Sequence, residues 1–260
     1  MKYLLFQCYA PLVSWGEIAI GKDRHSSRQP SKSAIIGLLA AALGIRRDDV
    51  EGMDSLVNSM RFAVKMFSGG TVLRDYHTAQ VPKVGKKDFF NTRRDEMKAP
   101  QERINTVLSS REYRCDALSV VAVWLDDHIL SYEDLADALR KPAFTLYFGR
   151  KSCPPAAPLN PEIIDAETVR GAFDKYRVTL PVPLSDSVSD RAREYFNHYQ
   201  MRALEEQTIT YFWETCEHSG FEAAQKTPRY DVPLSRKRWQ FTYRDEYMAV
   251  EGEQEAQDVS

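Results

Sequence analysis

The segment Ala117–Leu125 constrains the fold more than any other part of the sequence. It reads Ala-Leu-Ser-Val-Val-Ala-Val-Trp-Leu and is apolar at every position except Ser119. A strand with one face in water alternates apolar and polar residues, whereas a strand that is apolar on both faces is buried on both. We therefore predict that 117–125 is a strand in the middle of a sheet.

Other elements can be placed around this strand from their end signals. The clearest is a helix over 32–43, with Ser31 or Ser33 as its N-cap and Gly44 at its end. The predicted elements, in chain order, are strand 2–9, helix 32–43, strands 60–67, 71–75 and 117–125, helix 131–140 and strand 143–149. This order fits a β-α-β-β-α-β plan. We therefore predict an α+β fold with a ferredoxin-like domain, whose sheet is also that of RNA-recognition motifs.

The rest of the chain is predicted in less detail. Residues 76–113 are polar and without periodicity, which indicates a long loop of a kind that is commonly functional. A helix is predicted at 161–170 and a strand at 173–180, whereas no element is predicted for 181–231. We expect a first domain over 1–155, a smaller, less regular, mainly-β C-terminal part over 156–250 packed on it, and a disordered acidic tail at 251–260.

The charge is unevenly distributed, although the chain as a whole carries a formal charge of −2. Residues 61–114 contain twelve Lys and Arg residues against six Asp and Glu residues, and 22–32 contain four basic residues and one acid. Residues 115–139 contain six acids and no basic residue. Such segregation is compatible with one basic surface for a phosphate backbone. It is equally compatible with solvated loop faces.

Several functional classes lose support from the sequence. The longest apolar run, 34–43, is too short for a membrane span, which needs about 20 residues, and the first residues lack the pattern of a signal peptide. The four cysteines lie far apart, which favours reduced thiols in the cytoplasm over disulfides or a zinc site. No phosphate-binding G-x-x-x-x-G-K-[ST], H-E-x-x-H or G-x-S-x-G motif occurs. We expect no metal and no cofactor.

Three stretches, taken together, resemble a known family. The first contains Trp15-Gly16 and continues through Arg24 and Arg28 into the small-residue helix that ends at Gly44. The others are Leu73-Arg-Asp-Tyr-His-Thr78, paired with Arg111-Glu-Tyr-Arg-Cys-Asp-Ala117, and Leu146-Tyr-Phe-Gly-Arg-Lys-Ser-Cys-Pro-Pro155. In this order they resemble the CasD-type subunits of the type I-E CRISPR Cascade complex, which belong to the RAMP superfamily. The resemblance is good over 1–160 and loose beyond.

This resemblance implies a function. The chain is expected to be a non-catalytic RNA-binding and assembly subunit that caps the 5′ handle of the CRISPR RNA and joins the backbone and large subunits for antiviral DNA targeting. Its partners would be the guide RNA and those subunits, with target DNA only indirectly and no membrane. The long loop at about 76–113 is similar to the family's thumb, which reaches an adjacent backbone subunit.

The candidate RNA-binding residues are mostly basic and lie near the predicted element ends. They are Arg24, Arg28, Ser31, Lys32, Ser33, Arg74, His77, Arg111, Arg150 and Lys151. The start of the helix at 32–43 favours an anion through its free N–H groups, although Ser31 and Ser33 also fit a purely capping role. Arg150 and Lys151 follow a predicted strand end, where RNA would pass. Alternatively, they form surface ion pairs with the acidic segment 126–137.

The candidate thumb residues combine cations with two aromatic side chains. They are Lys83, Lys86, Lys87, Phe89, Phe90, Arg93, Arg94 and Lys98. Aromatic side chains among cations suit stacking on unpaired bases. Phe89 and Phe90 also suit an anchor on a neighbouring protein, which we favour. The sequence Arg236-Lys-Arg-Trp239 resembles a nucleic-acid patch but is as readily explained as a solvated strand edge.

An enzymatic alternative remains open at this point. Some relatives cleave CRISPR repeat RNA without a metal, and Tyr76, His77 and Lys83 could support attack by the 2′-hydroxyl through general acid–base catalysis. The lysine lies six residues beyond His77, and Arg74 and Asp75 have a simpler role as an ion pair at the base of the loop. We therefore favour RNA contact or loop anchoring, with a metal-independent endoribonuclease as the alternative.

Overall fold

A computed structural model of the chain describes residues 1–19, 21–85, 88–126, 130–179, 208–215, 217–235, 238 and 240–251. The strands are β1 (Lys2–Val13), β2 (Trp15–Gly16), β3 (Asp23–Arg24), β4 (Ser26–Ser27), β5 (Met60–Ser68), β6 (Thr71–Pro82), β7 (Ile104–Leu125), β8 (Glu162–Asp165), β9 (Thr210–Trp213), β10 (Gln225–Ser235) and β11 (Gln240–Val250). The helices are α1 (Lys32–Leu43), α2 (Val50–Ser59), α3 (Arg93–Met97), α4 (Tyr132–Arg140) and α5 (Val169–Lys175).

The fold is α+β, with one large and mainly antiparallel sheet. Its strand order is β10-β11-β9-β5-β7-β1-β8, and β6 and β3 also pair with β7. The second half of β7 lies between β5 and β1, so the predicted central position of 117–125 is confirmed. No helix among the described residues is long and apolar enough to cross a membrane.

Both faces of the sheet carry a hydrophobic core, which explains why 117–125 is apolar throughout. On one face, Ile35 and Leu39 of α1, Leu56 of α2 and Leu135 of α4 pack with buried residues of β1, β5 and β7. On the other face, Phe173 of α5 packs in a cluster with aromatic residues of β1, β7 and β9. The sheet is thus the middle layer of three.

The two helices predicted from their caps have the expected ends. The Ser31 side chain accepts a hydrogen bond from the N–H of Ala34, and Gly44 ends α1 in the left-handed conformation with a φ of 80°. The Ser131 side chain caps α4 in the same way. By contrast, α2 was not predicted, although Asp49 caps its first turn.

The predicted strand at 143–149 is wrong, and its place in the sheet is taken by β8. Residues 143–149 form an irregular segment along α1, where the N–H groups of Ala143 and Phe144 donate to the carbonyls of Ala42 and Ala41. The buried side chains of Leu146 and Phe148 give this segment the alternation of a strand. The predictions of a helix at 161–170 and a strand at 173–180 are wrong as well, because β8 and α5 occupy this region.

Gly149 allows this irregular segment to approach the end of β1. Its φ is 87°, and a Cβ built on it would lie 1.7 Å from the carbonyl oxygen of Ser14. The segment is held there by the N–H of Ser14, which donates to the carbonyl of Phe148 over 3.0 Å. Only glycine fits this position without moving one backbone or the other.

We expect Gly149→Ala to destabilise the protein by about 3 kcal/mol, because the added methyl group is both sterically blocked and in an unfavourable backbone conformation. Urea unfolding followed by circular dichroism measures the change. Gly37→Ala in α1 is the matched control. Its Cβ would meet nothing within 4 Å, so the free energy of unfolding should increase by about 0.5–1 kcal/mol because alanine favours a helix. A Gly149→Ala variant as stable as the wild type would contradict the close approach.

Residues 76–113, which sequence analysis treats as a loop, are for the most part a two-stranded antiparallel ribbon. The pairing of β6 with β7 runs from Thr71 opposite Cys115 to Pro82 opposite Ile104. Both faces are largely exposed along β6, so no apolar alternation marks the strands in the sequence. The ribbon ends in a tip that contains α3 and a short 3-10 helix at Gln101–Arg103.

The C-terminal part adds strands to both edges of the sheet. β8 pairs with β1 at one edge, whereas β9, β11 and β10 continue the sheet beyond β5 at the other. The division at residue 155 stays a prediction. Residues 252–260 of the predicted tail lie outside the described part of the chain.

Candidate nucleic-acid interface

Basic side chains gather where the ribbon leaves the sheet. This ribbon-base cluster consists of Arg24, His25, Arg28, Arg74, Arg111, Arg114 and Arg150. The pairing of β3 with β7 places Arg24 opposite Arg111, and the guanidinium of Arg114 donates to the carbonyl of Ser26 over 3.2 Å. The loop before α1 is thereby fixed to the base of the ribbon.

Glu112 lies in the middle of the ribbon-base cluster and orders part of it. Its carboxylate accepts hydrogen bonds from Arg74 over 2.9 Å and from the backbone N–H of Ser26 over 3.4 Å, and it lies 3.2 Å from Nδ1 of His25. The hydrogen bond from Arg74 holds the pKa of Glu112 below its usual range, and His25 and Ser26 act in the same direction. Arg74 therefore pairs across the ribbon with Glu112, not with Asp75.

Arg28 and Arg114 bring two positive charges together beside the turn at Gly69. A Cβ on Gly69 would lie 2.9 Å from Nε of Arg28, so the arginine side chain covers the turn. Burial and the charge of Arg28 lower the pKa of the Arg114 guanidinium. No carboxylate partner of Arg28 is found among the described residues. An anion between the two guanidinium groups would relieve their repulsion.

The opposite face of the ribbon carries Arg111, His77 and Tyr113, because strand residues alternate between faces. The guanidinium of Arg150 lies over the Tyr113 ring at 4.6 Å from its centroid and donates to the Glu112 carbonyl over 3.1 Å. Arg150 is therefore held by the ribbon, and no ion pair joins it to the described residues of the acidic segment 126–137. Lys151, which follows it, is exposed.

The start of α1 differs from the sequence-based expectation. Ser31 is buried and caps the helix, and its hydroxyl lies 3.1 Å from that of Ser33. The backbone N–H of Lys32 donates to the Asp231 carboxylate over 2.8 Å. A carboxylate of the chain itself thus occupies the anion position at this helix N-terminus.

Lys32 is the predicted RNA-binding residue that the structure contradicts. Its side chain is 3% exposed, and Nζ lies 2.8 Å from the Glu214 carboxylate, which is also 3% exposed. Burial lowers the pKa of the Lys32 ammonium, and the Glu214 carboxylate partly offsets this effect. The ammonium is thus enclosed by the protein and has no access to RNA.

Lys32 and Glu214 border a buried network of ions under the β10–β11 hairpin. Arg244 binds Asp231 through two hydrogen bonds of 2.8 and 2.9 Å and Glu246 through one of 2.6 Å. Arg229 donates to Glu246 over 3.0 Å. Three cations and three carboxylates balance, and together they fix the hairpin to the start of α1.

The candidate thumb residues lie at the ribbon tip, and several are engaged within it. Arg93 contacts Glu96 and the carbonyl of Gln80, and Lys98 lies 3.6 Å from Asp95. Lys83 and Arg94 are exposed. Phe89 is 84% exposed, whereas Phe90 is half-buried. Lys86 and Lys87 lie outside the described residues.

The set Tyr76, His77 and Lys83 is not assembled into one site. Tyr76 and His77 are consecutive in β6, so their side chains lie on opposite faces of the ribbon. Lys83 follows the end of β6, six residues from His77, which corresponds to about 20 Å along an extended strand. These three side chains therefore do not surround a common point.

His25, Glu112 and Arg114 also belong to the interface, although none of them was predicted from the sequence. All three stand in the stretches that carry the family resemblance, so the signal was present. If 104–116 is read as a strand, successive side chains lie on opposite faces. Glu112 and Arg114 then share one face of the ribbon, and Arg111 and Tyr113 share the other.

Comparisons with known proteins agree with the earlier resemblance. Residues 3–247 match the family described as CRISPR-associated protein (Cas5). The chain is 31% identical over 218 residues to the CRISPR system Cascade subunit CasD of Escherichia coli (strain K12). The alignment covers 80% of this chain and 90% of that protein.

Two solved structures share the fold. A chain of a CRISPR RNA-guided surveillance complex matches with a TM-score of 0.62 at 26% identity, over 95% of this chain and 89% of that chain. A crystal structure of a Cas protein matches with a TM-score of 0.53 at 23% identity, over 95% and 94% of the two chains, which indicates similarity of fold. The family match spans nearly the whole sequence, and the CasD-type resemblance is confirmed. The chain belongs to the Cas5 family of CRISPR-associated proteins.

Proposed function

We propose that this chain is a non-catalytic RNA-binding and assembly subunit of a CRISPR Cascade surveillance complex, and that it holds the 5′ handle of the guide RNA at the ribbon-base cluster. The observation that carries the proposal is the pair of exposed arginines before α1, Arg28 beside Arg114 and Arg24 opposite Arg111. Among the described residues, Arg24 donates only to backbone carbonyls, those of Gly21 and Asp23, so no described carboxylate neutralises its charge. Family membership supplies the kind of ligand.

The chemistry of the cluster suits an RNA backbone. Guanidinium groups bind phosphate oxygens through paired N–H donors, and they fix the position of the strand without reading its sequence. Arg28 and Arg114 would share one phosphate across the Gly69 turn. On the other ribbon face, Arg111 and Lys151 offer further contacts beside the Arg150–Tyr113 stack.

The ribbon is proposed as the thumb of the subunit. Its tip exposes Phe89 and the cations Lys83 and Arg94. An aromatic ring that is almost fully in water is better explained by a protein partner than by the folding of this chain. We assign this partner to the Cascade backbone, and the large subunit to the remaining assembly contacts. Target DNA is reached indirectly, through the guide.

The finer description of the fold is also a proposal. The strands β8, β1, β7 and β5 are neighbours in this order, and each pair is antiparallel. Along the chain they alternate with α1, α2 and α4 as expected for a ferredoxin-like β-α-β-β-α-β unit. This supports such a unit at the core of the 1–155 domain, with β8 contributed by the 156–250 part. The proposed place of action is the cytoplasm, with the guide RNA.

The alternative function, a metal-independent endoribonuclease, has weaker support. It requires Tyr76, His77 and Lys83 to act on one RNA 2′-hydroxyl, and general acid–base groups must lie within hydrogen-bonding reach of the proton they transfer. The opposite orientation of Tyr76 and His77 and the distance to Lys83 favour a non-enzymatic subunit.

Incubation of the purified chain with labelled CRISPR repeat RNA in EDTA tests this choice. We expect intact RNA on a denaturing gel, and the same result for His77→Ala, because His77 is not part of an assembled catalytic set. Co-purification of the chain with the other Cascade subunits and the guide provides the positive readout. One discrete cut that disappears in His77→Ala would identify the chain as a processing enzyme instead.

A further inference from the structure

The β10–β11 hairpin exposes a pair of aromatic rings that the proposed function does not use. Tyr230 and Tyr243 are 58% and 60% exposed, and their ring centroids lie 5.9 Å apart at an interplanar angle of 54°. They stand next to a β-bulge between Arg229 and Val232, which turns Asp231 inward. The two rings therefore form one apolar surface in water.

The sequence of the hairpin contains more cations than carboxylates. On the described hairpin, each acidic group has a cation partner: Asp231 and Glu246 bind Arg244, and Asp245 lies 2.9 Å from Lys226. Arg238, in the turn between the strands, is exposed. In the sequence, 225–250 contains six basic and three acidic residues. Exposed aromatic rings on a segment with an excess of cations suit the binding of single-stranded nucleic acids.

The hairpin is also rigidly mounted. On its inner face, Arg244 and Arg229 hold Asp231 and Glu246 in the buried network that reaches the start of α1. The guanidinium of Arg244 further lies 4.9 Å from the centre of the Phe62 ring. A platform that is ordered before binding loses little conformational entropy when a ligand stacks on it.

A cavity of about 880 Å³ connects this platform with the ribbon-base cluster. Tyr230 and Phe241 line it on the hairpin side, and Arg24 and Ile18 line it on the side of the loop before α1. Ser33 and the acidic residues Glu17 and Asp231 also line it, and the Asp231 carboxylate is bound by Arg244. A strand held by Arg24 can thus pass along this cavity to Tyr230, and the ring of Tyr243 lies next to that of Tyr230.

We infer that Tyr230 and Tyr243 are a stacking platform for unpaired bases of a single-stranded nucleic acid that continues from Arg24. The inference rests on the proposed RNA-binding function and extends its site into the C-terminal part of the chain. A purely structural explanation is a cross-strand tyrosine pair that stabilises the hairpin. The two explanations differ in what the loss of the rings does to binding.

The test compares the full-length double variants Tyr230→Leu/Tyr243→Leu and Tyr230→Phe/Tyr243→Phe. The probes are a labelled unpaired RNA of the repeat-derived handle and a single-stranded DNA of the same sequence, with dissociation constants read from fluorescence anisotropy. We expect the leucine variant to bind about tenfold more weakly and the phenylalanine variant to bind like the wild type, because stacking requires the ring and not the hydroxyl. Phe144→Leu, another exposed ring, is the matched control and should bind normally.

Each outcome decides the inference. A loss with RNA, with DNA or with both supports the platform and identifies the strand that occupies it. Unchanged binding of both probes by the leucine variant, or equal losses in the leucine and phenylalanine variants, overturns it. Normal nucleic-acid binding with lost co-purification of other subunits also overturns it and makes the surface a protein interface. If Arg24→Glu/Arg28→Glu weakens RNA binding in one of the cases that overturn the platform, the proposed function stands without the platform.

Discussion

Arg24→Glu/Arg28→Glu is expected to bind the handle RNA about 100-fold more weakly than the wild type, because two phosphate contacts are replaced by two repulsive charges. Both side chains are exposed and neither has a carboxylate partner among the described residues, so the exchange should leave the fold intact. Fluorescence anisotropy at several salt concentrations measures the effect. A plot of the logarithm of the association constant against the logarithm of the salt concentration has a negative slope. Its magnitude should decrease by about 1.4, since each single-strand phosphate contact contributes about 0.7.

Lys2→Glu/Lys175→Glu is the matched control for this charge reversal. Lys2 begins β1, whose other end lies at the base of the ribbon, and Lys175 ends α5 beside it. Both lysines are exposed, and the change in net charge is the same. Equal losses in the two double variants would mean that total charge governs binding, and the assignment of the site would fail.

Glu214→Ala is expected to destabilise the protein by about 4 kcal/mol, because it leaves the buried Lys32 ammonium without its carboxylate. The other Glu214 oxygen accepts the backbone N–H of Phe62 over 2.7 Å, so the variant also loses a hydrogen bond at the edge of β5. Urea unfolding, monitored by circular dichroism, gives the change in the free energy of unfolding.

The double variant Lys32→Met/Glu214→Leu tests whether the loss of stability comes from the unpaired charge. Replacing both charges by apolar side chains of similar size removes the unpaired charge, so stability should return to within about 1–2 kcal/mol of the wild type. Arg61→Ala, which removes a partly exposed ion pair with Asp126 at 2.8 Å, should cost less than about 1 kcal/mol. A Glu214→Ala variant no less stable than Arg61→Ala would contradict the buried pair.

The elements that the sequence predicts correctly are those with local signals. The ends of α1 follow from Ser31 and Gly44, which act within one turn of the helix. The central position of 117–125 follows from burial on both faces. The ribbon strands have neither kind of signal. Most of their side chains are in water on both faces, and strand ends have no capping residue of the kind that marks a helix. In 143–149, the alternation of Leu146 and Phe148 reflects two side chains inserted into the core, not a strand.

The candidate site shows the same limit at longer range. Arg24 and Arg28 are identified from their charge and their position before a helix, and the structure leaves both exposed. Lys32 stands in the same run but is buried, because Glu214, its partner, lies 182 residues away in the sequence. The Asp231 carboxylate at the start of α1 comes from a similarly remote strand. Such contacts between residues distant in sequence form only in the complete sheet, and no local sequence pattern predicts them.

The length of β7 determines how far the ribbon tip lies from the core. One strand of 22 residues passes from the core to the tip, with a length of about 70 Å along the chain at about 3.4 Å per residue, and its extended backbone is bent at Asp116, where φ is 56°. The reach of the subunit is therefore set by the number of residues in two paired strands. Adding two residues to each strand would move the tip outward by about 7 Å and keep every face in place, whereas adding one would exchange the two faces of everything beyond the insertion. The length of the arm can thus change during evolution only in steps of two residues if the tip is to meet its neighbour with the same side.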